Sequence, residues 1–200
     1  MTPTTSRKPI PGYSLLELLV ALSIILLMGS VALPNISGFR QEAALLGAAQ
    51  RFKVEFMRAR SIATMKNTQT AIRFEKDSSG QTFYSTYIDR NFNGVLSVDI
   101  ATGLDERIAG PFKLDAGQSG VEVGVLPGAP APAPDRGTLG SEPIRFGNAR
   151  MVSFSPLGTG TPGTFYLRTR TSMAGVRVTG GSARVRIMIL RGKRWIDRQG

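Results

Sequence analysis

One stretch limits what the rest of this chain can become. Between Tyr13 and Leu33 stand 21 residues with a single charge, Glu17. As a helix rising about 1.5 Å per residue, that run reaches about 30 Å, the thickness of a bilayer's hydrocarbon core. A carboxylate inside such a run costs roughly 2.5–3.5 kcal/mol on insertion scales, so it is expected to have a partner and a task. Glu17 lies four residues past Tyr13, within reach of an amine at Tyr13 in the same chain or in a neighbouring copy.

The flanks sharpen the pattern. Ahead of the run come Arg7 and Lys8, then Pro9-Ile10-Pro11-Gly12. Basic residues on that side are expected to stay in the cytoplasm, which puts the rest of the chain outside. Behind the run comes Pro34-Asn35-Ile36-Ser37-Gly38-Phe39, which lacks the small-x-small site of an ordinary secretory signal peptide. The segment from Lys8 to Glu17 resembles the class III signal peptide of type IV pilins and type II secretion pseudopilins. That resemblance implies a prepilin peptidase that cuts after Gly12 and methylates the new amino terminus at Tyr13. Glu17 then becomes the fifth mature residue and Pro34 the 22nd, both positions tied to assembly. Tyr13 departs from the family's usual Phe but keeps an aromatic ring.

The resemblance implies a division of the chain. Residues 1–12 are the leader, 13–34 the transmembrane part of an N-terminal helix and 35–66 its amphipathic continuation. Residues 67–200 are a β-rich periplasmic domain with a Pro/Ala-rich loop at 124–143. The residues support that division. Phe39, Ala43, Leu46, Ala49, Phe52, Phe56, Ala59 and Ile62 recur at three- and four-residue steps, a stripe suited to packing under a sheet. Thr70–Glu75 and Gln81–Ile88 alternate around Asp77-Ser78-Ser79-Gly80 and predict a hairpin. The tail returns to strand patterns at 144–146, 151–158, 163–169, 176–178 and 183–190. Its order F-S-P-x-G, then G-T-F-Y-L, then a basic strand, is similar to the GspH/FimT branch of the pseudopilins. The expected fold class is therefore α+β: a long N-terminal transmembrane/amphipathic helix packed against a β-rich globular domain. The expected place is the bacterial inner membrane, spanned once, with the C-terminal domain in the periplasm.

Composition excludes much chemistry. The chain has no Cys and no His, so thiol and imidazole catalysis, disulfides and most zinc sites are ruled out. No enzyme motif and no cofactor site stand out. Asp89-Arg90-Asn91-Phe92-Asn93-Gly94 has the opening of a calcium loop, but the twelfth position is Ile100 where a bidentate Glu is needed, and Asp99 is one early. The segment reads as a polar turn rather than a metal site, and GspH/FimT proteins have a similar one. The chain carries a net +11, and residues 145–200 hold eleven Arg and Lys against one acid, Asp197. A solvated strand face would explain that charge, as would a surface that meets nucleic acid, lipid head groups or an acidic protein.

The resemblance implies a minor pseudopilin, a structural subunit of the type II secretion pseudopilus. Its partners would be other pseudopilins or pilins, the prepilin peptidase and an inner-membrane assembly platform. The alternative is a FimT-like minor type IV pilin that binds DNA for uptake or supports pilus biogenesis. Those proteins carry a G-R-x-R motif near the carboxyl end. This chain has Arg191-Gly192-Lys193-Arg194-Trp195 there, and Arg184, Arg186, Arg191, Lys193 and Arg194 are the candidate nucleic-acid contacts.

Overall fold

The structure, a computed structural model, describes residues 12–198, and of residues 30–37 the backbone alone. The expected leader, apart from Gly12, falls outside the described residues. A helix, α1, runs Leu15–Lys66. The chain divides into two compact units, Met1–Arg40 and Gln41–Gly200, taken here separately.

In the first unit, Ser14 starts the helix. Its hydroxyl accepts from the Leu16 N–H at 3.3 Å and its carbonyl accepts from the Leu18 N–H at 3.2 Å. This is an N-cap, with Glu17 in the first turn, where a carboxylate suits the helix dipole. The side chains from Leu15 to Met28 are exposed.

Two expectations are corrected here. Among the described residues, no helix is long and apolar enough to cross a membrane. The transmembrane part of the expected fold class, and with it the single-pass placement in the inner membrane, is not supported. Over the described side chains, the apolar stretch is short and carries a charge. The apolar side chains described in α1 run from Leu15 to Gly29, about 22 Å at 1.5 Å per residue, with Glu17 among them. A bilayer core needs about 30 Å. A proline at position 34 is also expected to kink the helix, because it removes a backbone donor, but its side chain lies outside the described part.

The second unit is mixed α and β. From Gln41 to Lys66, α1 buries Leu45, Ala48, Ala49, Phe52, Phe56, Ala59 and Ala63. The stripe drifts from the expected one at both ends: Ala43 is exposed and Leu46 half-buried, while Leu45, Ala48 and Ala63 are inside.

Ten strands follow. β1 (Thr70–Lys76) and β2 (Thr82–Ile88) form the expected hairpin, in register from Thr70 opposite Ile88 to Lys76 opposite Thr82. After the short helix α2 (Ser97–Thr102) come β3 (Glu106–Lys113), β4 (Glu122–Val123), β5 (Ile144–Arg145) and β6 (Met151–Phe154). β7 (Gly163–Arg168), β8 (Met173–Val178), β9 (Val185–Arg191) and β10 (Arg194–Arg198) complete the chain. One sheet has the order β3-β2-β1-β6 and the other β10-β9-β8-β7-β4, with β5 also on β7. The pairings within both sheets are antiparallel.

Helix and both sheets share one core. Phe52 lies 4.4 Å from Phe165 between ring centres, Phe56 lies 5.7 Å from Phe146, and Phe74 stacks 5.7 Å from Phe165. Each pair joins rings from different parts of the chain, and such pairs add to the burial itself. The far faces of the sheets are covered by loops. Residues 89–105 lie over the first, where Val95 and Ile100 meet Ala71 and Tyr87. The Pro/Ala-rich loop lies over the second, where Ala129, Leu139, Val125 and Leu126 pack with Tyr166, Met173, Leu190 and Trp195. The Trp195 indole N–H donates to the Pro130 carbonyl at 2.8 Å, and Arg177 donates to the Ala133 carbonyl at 2.9 Å. The loop is thus a strap over the sheet rather than a free surface insertion.

Candidate functional site

Three places carry the residues singled out from the sequence. The first is the amino end. Gly12 and Tyr13 are exposed and precede the helix, so the bond between them is open to a peptidase. Glu17 is one turn further on and also exposed, without an ion-pair partner among the described residues. The leucines and isoleucines around it are between about half and four-fifths exposed, from Ile24 at 52% to Leu15 at 78%. Sequence reading did not take Ser14 as the cap, although Ser14-Leu15-Leu16-Glu17 fits the S-x-x-E capping pattern.

The second place is the basic carboxyl end. The register separates the five candidate contacts. Arg191 and Arg194 face each other across the β9–β10 pair, and Arg191 reaches Glu42 of α1 at 2.5 Å, so both lie on the helix side of the sheet. Successive strand residues point to opposite faces. Arg186 therefore lies on the strap side, where it donates to Asp197 at 2.9 Å. Among the described residues, Arg184, Lys193 and Arg194 have no carboxylate partner. The structure does not bring the five together as one patch, and two of them already spend their charge within the fold.

The third place is the loop from Asp89 to Asp105. It is anchored to the end of α1, where the Thr68 hydroxyl donates to the Asp89 carbonyl at 2.8 Å and the Asp89 N–H donates to the Gln69 carbonyl at 2.9 Å. The Asp89 carboxylate turns the chain. One oxygen accepts from the Asn91 and Phe92 N–H groups, at 3.1 and 2.7 Å, and the other from the Gly94 N–H at 2.7 Å. Gly94 has φ +96°, and a Cβ there would meet the Gln69 Oε1 at 2.8 Å, so only glycine fits. The Asn91 and Asn93 side-chain amides both donate to one oxygen of Asp99, at 3.1 and 2.9 Å. Asp105 accepts from the Leu96 N–H at 3.0 Å through its Oδ2, while its Oδ1 is buried with no partner. Burial pushes the Asp105 carboxyl above its usual range, and the charges of Asp89 and Asp99 push the same way, against backbone N–H groups of Leu96 and Arg90 that pull it down. Asp99 and Asp105 were not picked out as partners from the sequence. The signal present was an acid one place short of the position a calcium loop requires.

An open cleft of about 600 Å³ lies between the ends of the two sheets, lined by Lys76, Lys113, Glu122, Glu142 and Arg150 among others. Glu142 pairs with Arg150 and Glu122 with Arg168, so its acids are engaged in structural ion pairs. Comparison with protein-family models, with characterised proteins and with solved structures gives no match.

Proposed function

We propose that this chain is a structural subunit of a type IV pilin-like filament, a minor pseudopilin of the kind that serves type II secretion. The supporting observation is the exposed amino-terminal helix. From Leu15 to Met28, Glu17 is the one charged side chain, and the large apolar side chains all round the helix are open to solvent. Exposed apolar surface of that extent marks an interaction surface, because each Å² left in water forgoes roughly 25 cal/mol. Copies of the same helix, from this chain or from other pilin-like subunits, are the occupants that also answer Glu17. Packed among apolar helices, its carboxylate needs a cation, and the amine of a neighbouring Tyr13 supplies one once the leader is removed. The other partners are the prepilin peptidase and the platform that assembles the filament. This reading assigns the chain no catalytic role.

The test joins processing to assembly. Mass spectrometry of the protein from cells with an active prepilin peptidase is expected to give a chain beginning at an N-methylated Tyr13. Glu17→Ala is expected to be cut as well as the parent but to lose crosslinking to neighbouring subunits. An intact Met1, or unchanged crosslinking, would overturn the proposal.

A further inference from the structure

In the second unit, the outer side of α1 departs from the pattern of a surface helix. Its buried face runs through Leu45, Phe52, Phe56 and Ala63, so the opposite face is expected to be charged or polar. That face carries Gln50, Val54, Met57, Ser61 and Met65 instead, at steps of four, three, four and four residues, all exposed and none charged. Val54, Met57 and Met65 are 57%, 47% and 81% exposed. The row is about 22 Å long at 1.5 Å per residue. It closes at Gly47, where a Cβ would stand 3.6 Å from the side chain of Gln118. A single exposed methionine is ordinary, whereas large apolar side chains in one row with no charge among them mark a docking surface. The charges stand beside the row. Helical spacing puts Lys53 and Arg60 on one flank and Arg58 on the other. Among the described residues none of these three has an ion-pair partner. Arg51, on the flank of Arg58, is taken by Asp115. Glu55 is the one acid between Ala43 and Lys66.

We propose that this face of α1 binds an amphipathic helix of another polypeptide, one whose apolar stripe is edged by acidic residues on both sides. A helix fits because steps of three and four residues match the ridges and grooves of a second helix, while an extended peptide repeats every two residues. Acidic edges fit because Lys53, Arg58 and Arg60 lack counter-charges in the fold. A second copy of this chain is a poor occupant for the same reason. It would set those cations against their own kind, with one Glu55 from each copy to answer them. Met57 and Met65 suit such a face, since unbranched thioether side chains adapt to the surface they meet. The proposal rests on the second unit alone and is independent of the filament reading.

Photo-crosslinking of the full chain in cells tests it, with benzoylphenylalanine in place of Met57. The expected result is a crosslink to a different polypeptide, at a helical segment with Asp or Glu on both sides of an apolar stripe. Lys53→Glu/Arg58→Glu/Arg60→Glu changes exposed or half-buried side chains and is expected to keep the parent's Tm. It is expected to cut the crosslink by about tenfold or more, because like charges then face each other across the contact. Changing the acids of the captured segment to Lys is expected to restore the crosslink with the triple variant, which a loss of fold would not allow. Met57→Cys reads the other occupant, since the chain has no cysteine of its own. A disulfide-linked homodimer under mild oxidant would put a second copy on this face and overturn the proposal. It would also be overturned by a crosslink no stronger than one from exposed Thr171, by a captured segment without acids, or by a crosslink that the triple variant leaves unchanged.

Discussion

Asp77 shows how one side chain can define a turn. Its Oδ1 accepts from the Ser79 hydroxyl at 2.6 Å and from the N–H groups of Ser79 and Gln81, both at 2.9 Å, at the bend between β1 and β2. The hydroxyl of Ser79, with those backbone donors, holds the carboxyl below its usual range. The folded pKa is depressed, so the contribution to stability is fully present above the unfolded value, about 3.9, and is lost as pH falls through the folded one. Asp77→Ala is therefore expected to lower stability at neutral pH and to flatten the acid limb of the pH–stability curve. Urea unfolding at several pH values between neutral and acid would check this. A variant that keeps the parent's acid limb would show that Asp77 has no part in it. Glu17 and Ser14 carry a related lesson. A first-turn acid behind a serine cap helps a helix start, so Glu17 has local work in the single chain besides any pairing between chains.

Elements that break a sequence rule do so where their place in the sheet allows it. β3 contains Gly110 and Pro111, residues that weaken the interior of a strand. It occupies the edge of its sheet, where a proline's missing N–H costs no ladder bond. The strap at 124–143 is the counterpart on the other sheet. Its prolines keep it out of the ladder, yet its apolar side chains and carbonyls are matched by Tyr166, Trp195 and Arg177. Trp195 carries both a ring contact, 5.8 Å from Tyr166, and the bond to Pro130. Trp195→Phe is expected to cost about 1 kcal/mol, the net worth of one hydrogen bond, because most of the ring remains. Trp195→Ala is expected to cost more and to free the strap. Limited proteolysis should then cut within 124–143 several times faster than in the parent. Equal cutting rates would mean that the strap is held by its other contacts alone.

Taken whole, the molecule concentrates its stability after Arg40. The main core starts at Leu45 and gathers its members from α1, both sheets and the segments between them. Among the described residues, none of its members precedes Gln41. A chain of residues 41–200 is therefore expected to fold cooperatively, with a Tm within a few degrees of the full chain's. Differential scanning calorimetry of the two, at low concentration, would check it. A fall in Tm of ten degrees or more would show that residues before Gln41 support the fold. Phe52 and Phe165, both about 1% exposed or less and in ring contact, mark where that fold is most sensitive.

Local pattern by itself determined the hairpin of β1 and β2, the helix stripe through Ala49, Phe52, Phe56 and Ala59, and the strand character of β7, β8 and β9. Those features need only the period of apolar residues and a turn-forming Asp or Gly, all within a few positions of each other. Tertiary structure decided the rest, since the relevant partners are far apart in sequence. The Arg191 to Glu42 contact spans 149 positions, and Trp195 to Pro130 spans 65. No local signal shows that the basic tail is divided between two faces of a sheet, or that a proline-rich loop closes over one of them. The span across a membrane is the instructive miss. A count of apolar residues measures how long a helix could reach, and no helix among the described residues is long and apolar enough to cross a membrane. Asp99 and Asp105 show the same limit at close range: the sequence displays two acids near a polar turn, and only the fold buries them beside Asp89 without a counter-charge.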